Sequence, residues 1–315
     1  MDSPTVVDIF CGIGGISRGF KNTGYKILLG IDSNEHATNI FRKHHPEAEV
    51  IVDDVKNVDA DRIRNIIGDV KINVLVGGPP CQGFSLAGRR KHDDSRNTLF
   101  YEFVRLANEL KPSWILMENV RGLASARMPD GSSAIESVYR AFKPYFKLKH
   151  FFVNAADFGV PQKRKRIIFV GSSEKTDFDF QLPQMKWKPV GSVLINKNKV
   201  DKKYFYSKKL ITGFKRRERI NKKRGVGFRW QFLRINESSY TIPARYYKDG
   251  ANALVKYPNG SIRMLTEKEC AKIQGLSPRL FGKGKSDYIA IGNAVPPQIV
   301  EPFAKQILLH NSKNS

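Results

Sequence analysis

Acidic residues are in short supply in this chain. Its 315 residues carry 54 Lys and Arg against 30 Asp and Glu, a formal net charge of +24. A deficit of that size makes nucleic acid the favoured polyanionic partner, with an anionic membrane surface second. A solvated lysine-rich face would give the same net charge, but the basic residues are unevenly spread. The stretch 197–229 interleaves them with Tyr204, Phe205, Tyr206, Phe214 and Phe228. Cysteine is scarce too: Cys11, Cys81 and Cys270 are an odd, sparse set. That excludes a disulfide framework and points to a reducing compartment. No apolar run approaches the ~18 residues of a membrane span. The opening MDSPTVVDIF lacks the basic and apolar regions of a secretory signal. Repeats and low-complexity segments are also lacking, and a cytoplasmic protein is expected.

The first half alternates short β-branched runs with amphipathic stretches. Strands are predicted at 5–10, 26–31, 50–52, 74–77 and 114–117, with helices at 16–23, 35–44, 59–67 and 98–110. This alternation predicts an α/β fold: a doubly wound, mostly parallel sheet with helices on both faces. Ligands of such sheets bind beyond the C-terminal strand ends. After Gly171 the pattern fades. The expected organisation is a catalytic domain at 1–171, a smaller recognition domain at 172–258, and a segment 259–315 returning to the first. Thr266 and Glu269 fit a capping box opening a helix at 266–274, with a last helix at 298–309.

The suspicious residues fall at those strand ends. Phe10-Cys11-Gly12-Ile13-Gly14-Gly15 is a glycine turn between strand and helix, where a backbone can approach a ligand closely. Asp32, ending the second strand, can accept both hydroxyls of a ribose, and Asp54, after the third, an adenine amino proton. The glycine spacing is not that of a dinucleotide phosphate loop, so S-adenosylmethionine fits better than NAD. Two helix-capping aspartates and a tight turn would account for the same residues.

GGPPCQGFS, residues 77–85, places Cys81 after two stiff prolines at the end of the fourth strand. A buried cysteine needs no such approach, whereas an aimed nucleophile does. The basic loop 83–94, with Gly88 as a hinge, has the composition of a lid over a polyanion, and cations around a thiol favour its thiolate. Gln82, Ser85 and Arg89 are therefore expected contacts of that polyanion, for which nucleic acid is the favoured candidate. Glu118 emerges one strand later on the same edge; a surface glutamate capping a turn is the alternative. Gln162, Arg164 and Arg166 alternate onto one face before a strand at 167–170, which a solvated basic edge would also do.

FCGIGG, GGPPCQGFS, ENVRGL, QKRKRIIFVG, RMLTEKECAKIQG and IGNAVPPQIV, in this order, resemble the motifs of the DNA cytosine-5 methyltransferases, in particular the compact prokaryotic enzymes of restriction–modification systems. The resemblance spans nearly the whole chain outside 172–233. It implies S-adenosylmethionine as cofactor, held by Phe10, Gly12, Gly14, Asp32, Asp54, Leu99, Asn293 and Val295. It further implies Cys81 as nucleophile, Glu118 as acid, and Arg164 and Arg166 around the target base, with Gln162 at the DNA. Cys11 stands where the family often has Ala or Ser and has no assigned chemistry.

The expected reaction is methylation of a flipped-out cytosine at C5 through a covalent Cys81–C6 adduct. Lys215, Arg216, Arg217, Lys222, Lys223 and Arg224 are candidate phosphate contacts. Arg229 and Arg234 are candidate base readers, since Arg bidentate to guanine is the commonest specific contact. Arg245 faces DNA or serves the fold. The partners implied are duplex DNA and, genetically, a cognate endonuclease; no metal and no membrane are implied, and a monomer suffices. Two other readings compete. An RNA methyltransferase of the same family is disfavoured by the residues after Cys81 and by the lack of cysteine in 172–258. A DNA-binding regulator with dead chemistry is disfavoured by intact Cys81, Glu118, Arg164 and Arg166.

Overall fold

The computed structural model of the chain describes residues 3–80, 99–128, 131–175, 177–225, 230–249, 252–282 and 284–314. In chain order its elements are β1 (Thr5–Ile9), α1 (Gly15–Lys21), β2 (Lys26–Asp32), α2 (Glu35–His44), β3 (Glu49–Val52), α3 (Ala60–Ile67), β4 (Val74–Gly77), α4 (Leu99–Leu110), β5 (Trp114–Val120), α5 (Ala134–Phe142), β6 (Lys147–Asn154), β7 (Lys165–Ser172), α6 (Lys208–Lys223), α7 (Tyr246–Asp249), β8 (Val255–Lys256), β9 (Ile262–Arg263), α8 (Glu267–Ile273), α9 (Lys285–Asn293) and α10 (Pro297–Asn314).

Seven strands form one sheet in the order β3-β2-β1-β4-β5-β7-β6. β1 lies parallel between β2 and β4, whereas β7 runs antiparallel to both β5 and β6. This is the doubly wound, mostly parallel sheet the alternation predicts. Every residue of β1 (TVVDI) and β4 (VLVG) is buried, as strands covered on both faces require. Helix starts are set locally: the Asn34 side chain accepts from Ala37 N at α2, and Asp59 accepts from Arg62 N at α3. Phe103, Leu106 and Leu110 of α4 and Phe142 of α5 close one face of the sheet over Leu75 and Ile115. Sequence reasoning missed β6. Its KLKHFFVN is a half-buried edge strand whose lysines obscure the alternation.

The chain divides into two compact units. The first comprises Met1–Ala155, Lys165–Gln184 and Val295–Ser315; the second comprises Ala156–Arg164 and Met185–Ala294. These bounds differ from the expected ones at 172 and 258. Residues 172–184 stay with the first unit, where Phe178 and Phe180 pack on Trp114 of β5 at ring distances of 5.2 and 6.1 Å. Residues 259–294 belong to the second because Arg263, wholly buried, forks onto Glu269 at 2.7 and 2.8 Å. Glu269 also accepts from Ile195 N at 2.8 Å, and Arg263 donates to the Tyr257 hydroxyl at 2.8 Å. In the first unit α10 packs on α1, with Asn22 donating to Glu301 at 2.7 Å and the Tyr25 hydroxyl to Ala304 O at 3.2 Å.

Candidate active site

Three successive strand ends of the first unit carry the expected cofactor residues. After β1 the chain turns through Phe10 at φ +62°, Gly12 at +54° and Gly14 at +81°. These left-handed backbones open the turn and aim its N–H groups. Gly12 N donates to Asp32 Oδ2 at 2.9 Å, and Asn34 N donates to Asp32 Oδ1 at 2.8 Å. Asp32 thereby ties the glycine turn to the end of β2. Burial pushes its carboxyl above the usual carboxylate range, against the pull of those two N–H donors. No side chain fits at Gly14, where a Cβ would lie 2.7 Å from His45 Nε2 and 2.8 Å from the Phe41 ring. A Cβ at Gly12 would meet nothing within 4 Å, so the turn is open there.

Asp54 is exposed after β3, and its Oδ1 accepts from Lys56 N at 3.1 Å. Its neighbour Asp53 is held below the usual range first by Arg62, at 2.7 Å. The capping role is therefore real for Asp54 and leaves its carboxylate at the surface. Phe10 and Leu99 are half-buried against the core of the sheet, and Val295 is buried. Asn293 is an exposed residue of α9 in the second unit.

The second group lies where β5 outruns β4. Gly77 ends β4 opposite Met117, but β5 continues to Val120, paired only with β7. Glu118 thus sits inside a strand rather than just past one, as the sequence reading had it. It pairs with Ile168 of β7, and Arg166 lies two residues along β7 on the same face. Arg166 Nε is 2.6 Å from Glu118 Oε1, both side chains 11% exposed. The contact has the distance of an ion pair, but Nε makes no hydrogen bond of good angle. Arg166 Nη1 donates to Lys165 O at 2.8 Å. A Cβ at Gly78 would lie 3.2 Å from Glu118 Oε2, so the glycine gives that carboxylate room. Asn119 Nδ2 donates to Pro79 O at 3.2 Å, fixing the rigid approach to Cys81 from the residue beside Glu118.

Cys81, Gln82, Ser85, Arg89 and Arg229 lie outside the described residues. Arg164 is in the second unit, 2% exposed, donating from Nη2 to Gly292 O at 3.0 Å. Gln162, expected at the DNA, is wholly buried. Its amide donates to Gln274 Oε1 at 2.6 Å and accepts from Ile242 N at 3.1 Å, so it serves the core of the second unit. Lys215, Arg216, Arg217, Lys222 and Lys223 are exposed on α6, with Arg224 just beyond. Arg234 is exposed and paired with Glu237 at 3.0 Å, and Arg245 is exposed. Among the described residues no group of His, Cys, Asp or Glu could hold a metal ion, and no helix is long and apolar enough to cross a membrane. Cys11 and Cys270 are buried, and burial pushes both thiols well up.

A seven-stranded sheet in this order, with an antiparallel β7 and acidic residues at the ends of β2 and β3, defines the Rossmann-like fold of S-adenosylmethionine-dependent methyltransferases. The methyltransferase EhMeth of Entamoeba histolytica shares it, with a TM-score of 0.76 and 21% identity over 99% of both chains. The chain belongs to the C-5 cytosine-specific DNA methylases, whose family model matches residues 4–309, and it is a DNA cytosine-5 methyltransferase of the Type II restriction–modification kind. It is 33% identical over 312 residues to the Type II methyltransferase M.DsaV of Dactylococcopsis salina, covering 96% of this chain and 85% of that one. It is 32% identical to M.NlaX of Neisseria lactamica, covering 96% and 95%.

Sequence reasoning missed Asn119, although ENV was in view; its signal was the place beside Glu118. It also missed Asp8, wholly buried in β1. Ser17 of α1 donates to Asp8 from both Oγ and N, and burial pushes the carboxyl up to about 7. A lone acid inside an apolar strand was the visible sign.

Proposed function

We propose that the chain methylates C5 of a flipped-out cytosine in a short duplex DNA sequence, with Cys81 as nucleophile. The observation that carries the reading is the end of β5. There Glu118, paired with Arg166, adjoins the Gly78-Pro79 segment that Asn119 holds two residues before Cys81.

Cytosine C5 is a poor nucleophile until a thiolate adds to C6. Cys81 would form that S–C6 bond, and the ring electrons move toward N3 and O2. Glu118, as the acid, gives N3 a proton, and Arg166 neutralises O2 while holding the carboxyl in place. Arg164 would orient the base. C5 would then accept the methyl group as N3 returns its proton to Glu118; C5 loses its own proton to a base, and the S–C6 bond breaks with the Cys81 thiolate as leaving group, restoring the ring. Neither C5 nor C6 is accessible within a stacked duplex, so the base must leave it, at a cost of a few kcal/mol.

The residues at the strand ends fit S-adenosylmethionine, which supplies the electrophilic methyl group when bound. The open turn at Gly12 admits it. Asp32 would bind the ribose hydroxyls and Asp54 the adenine amine, with Phe10, Gly14, Leu99 and Val295 around them and Asn293 as a further contact. A monomer acting on duplex DNA in the cytoplasm, protecting sites from a cognate endonuclease, completes the proposal.

The test is incubation of the purified chain with radiolabelled S-adenosylmethionine and mixed-sequence duplex DNA, followed by bisulfite sequencing. Protection of cytosines in one short motif is expected. Cys81→Ser should cut transfer by about a thousandfold or more. It should also abolish the complex that survives denaturation on DNA with 5-fluorocytosine, whose C–F bond blocks release. A Cys81→Ser chain that methylates normally would sink the mechanism, and label in tRNA instead of DNA would replace the substrate.

A further inference from the structure

α6 is a 16-residue helix with no buried residue, and its charge is patterned. Ile211, Phe214, Glu218 and Asn221 are half-buried at positions i, i+3, i+7 and i+10, which marks the inner face. Phe214 anchors that face, its ring 5.8 Å from Tyr206 and 5.1 Å from Trp230. The helix's one acidic residue, Glu218, is on the inner face. Dibasic pairs recur every seven residues: Lys208-Lys209, Lys215-Arg216 and Lys222-Lys223, all exposed. Seven residues make almost two turns and advance ~10.5 Å, so the pairs stack in two adjacent files ~21 Å long. Arg219 adds to the same side.

One DNA strand presents a phosphate about every 3.4 Å of axis and somewhat further apart along its own path, so files ~21 Å long are long enough to meet several phosphates of one strand. Five of the six residues are lysines. Lysine is a point charge on a flexible stem, suited to phosphate, whereas bidentate guanine readout favours the arginine fork.

We propose that α6 is a phosphate rail that lies along one DNA strand and sets affinity and salt dependence without choosing sequence. This deepens the DNA-methylation reading and rests on it. The rail includes Lys208 and Lys209, which the sequence did not single out. Arg217, three residues after Phe214, flanks the inner face and lies off the rail.

The experiment uses the full chain with each pair changed to glutamine: Lys208→Gln with Lys209→Gln, Lys215→Gln with Arg216→Gln, and Lys222→Gln with Lys223→Gln. Glutamine keeps helix propensity. Thr212→Gln, on the same exposed side, is the uncharged control. Kd is measured on a duplex bearing the sequence the unsubstituted chain methylates and on a scrambled duplex, between about 50 and 200 mM KCl. Each pair removed should reduce the slope of log K against log salt by about 1–2 and weaken both duplexes by the same factor. The methylated motif should not change, and Thr212→Gln should match the parent. An unchanged slope, a loss confined to the methylated duplex, or a changed motif would overturn the proposal. So would loss of binding to phosphatidylserine vesicles with duplex binding intact. If the unsubstituted chain puts no label into DNA, it is the underlying activity that fails. If label enters and the slopes do not move, it is the rail.

Discussion

His45 packs its ring against Gly14, with Nε2 at 3.3 Å from Gly14 O, so it backs the glycine turn after β1. Burial, reinforced by Lys21 and His44 and opposed by the Gly14 carbonyl and Glu47, lowers its pKa to about 4. Between pH 6.5 and 4 the unfolded chain takes a proton that the folded chain refuses. His45 therefore costs stability as pH falls through that window, up to about 3 kcal/mol. Asp8 acts in the opposite sense. Its folded pKa of about 7 exceeds the unfolded value, so its contribution is full in acid and is lost as pH rises from about 4 to 7. The two slopes oppose each other. His45→Gln, whose amide can still donate to Gly14 O, should expose the Asp8 slope. Melting temperatures between pH 4.5 and 7.5 should then fall with rising pH more steeply in the variant than in the parent. Parallel curves would contradict the assignment. The sequence hinted at Asp8 through its place in an apolar strand but did not display His45, because a helix pattern does not say which polar residue is sealed in.

At the scale of elements, the local signals read best. α2 and β4 fall on the residues predicted, and the Thr266–Glu269 capping box opens α8, with Thr266 Oγ1 accepting from Glu269 N at 3.1 Å. What the sequence could not display is the second use of Glu269, because Arg263 is not at a helical spacing from it and Ile195 is far along the chain. Glu269→Gln should leave a buried guanidinium unpaired and cost about 3–5 kcal/mol, against ~1 for Thr266→Ala, which removes only a cap. Denaturant titration of both variants separates the roles; equal losses would mean that the cap is all that matters. The placement of Glu118 was illegible for a similar reason. β5 looked finished at Met117 because the β7 pairing that prolongs it comes from a strand some fifty residues away. The burial of Gln162 was illegible because alternation tells which residues share a face, not which face is buried.

At the scale of the whole molecule, both units are assembled from separated stretches of chain. Residues 172–258 look like a domain because their composition is distinct, yet the second unit needs 156–164 and 259–294 as well. The Tyr204 hydroxyl donates to Glu267 at 2.5 Å, and Gln162 is sealed against Gln274. The fragment 172–258 expressed alone should be unfolded, with little chemical-shift dispersion and no cooperative melt. A cooperative transition would show that composition had identified the domain after all.

The bond network around Arg263 also bears on heredity. A recombination that exchanged residues 185–258 for the matching stretch of another gene would leave Arg263, Glu267 and Glu269 behind as host. The newcomer would have to present a backbone N–H where Ile195 stands, and hydroxyls where Tyr204 and Tyr257 stand. Under the proposed function, new recognition sequences would then arise by grafting around three fixed sockets, with the first unit inherited untouched.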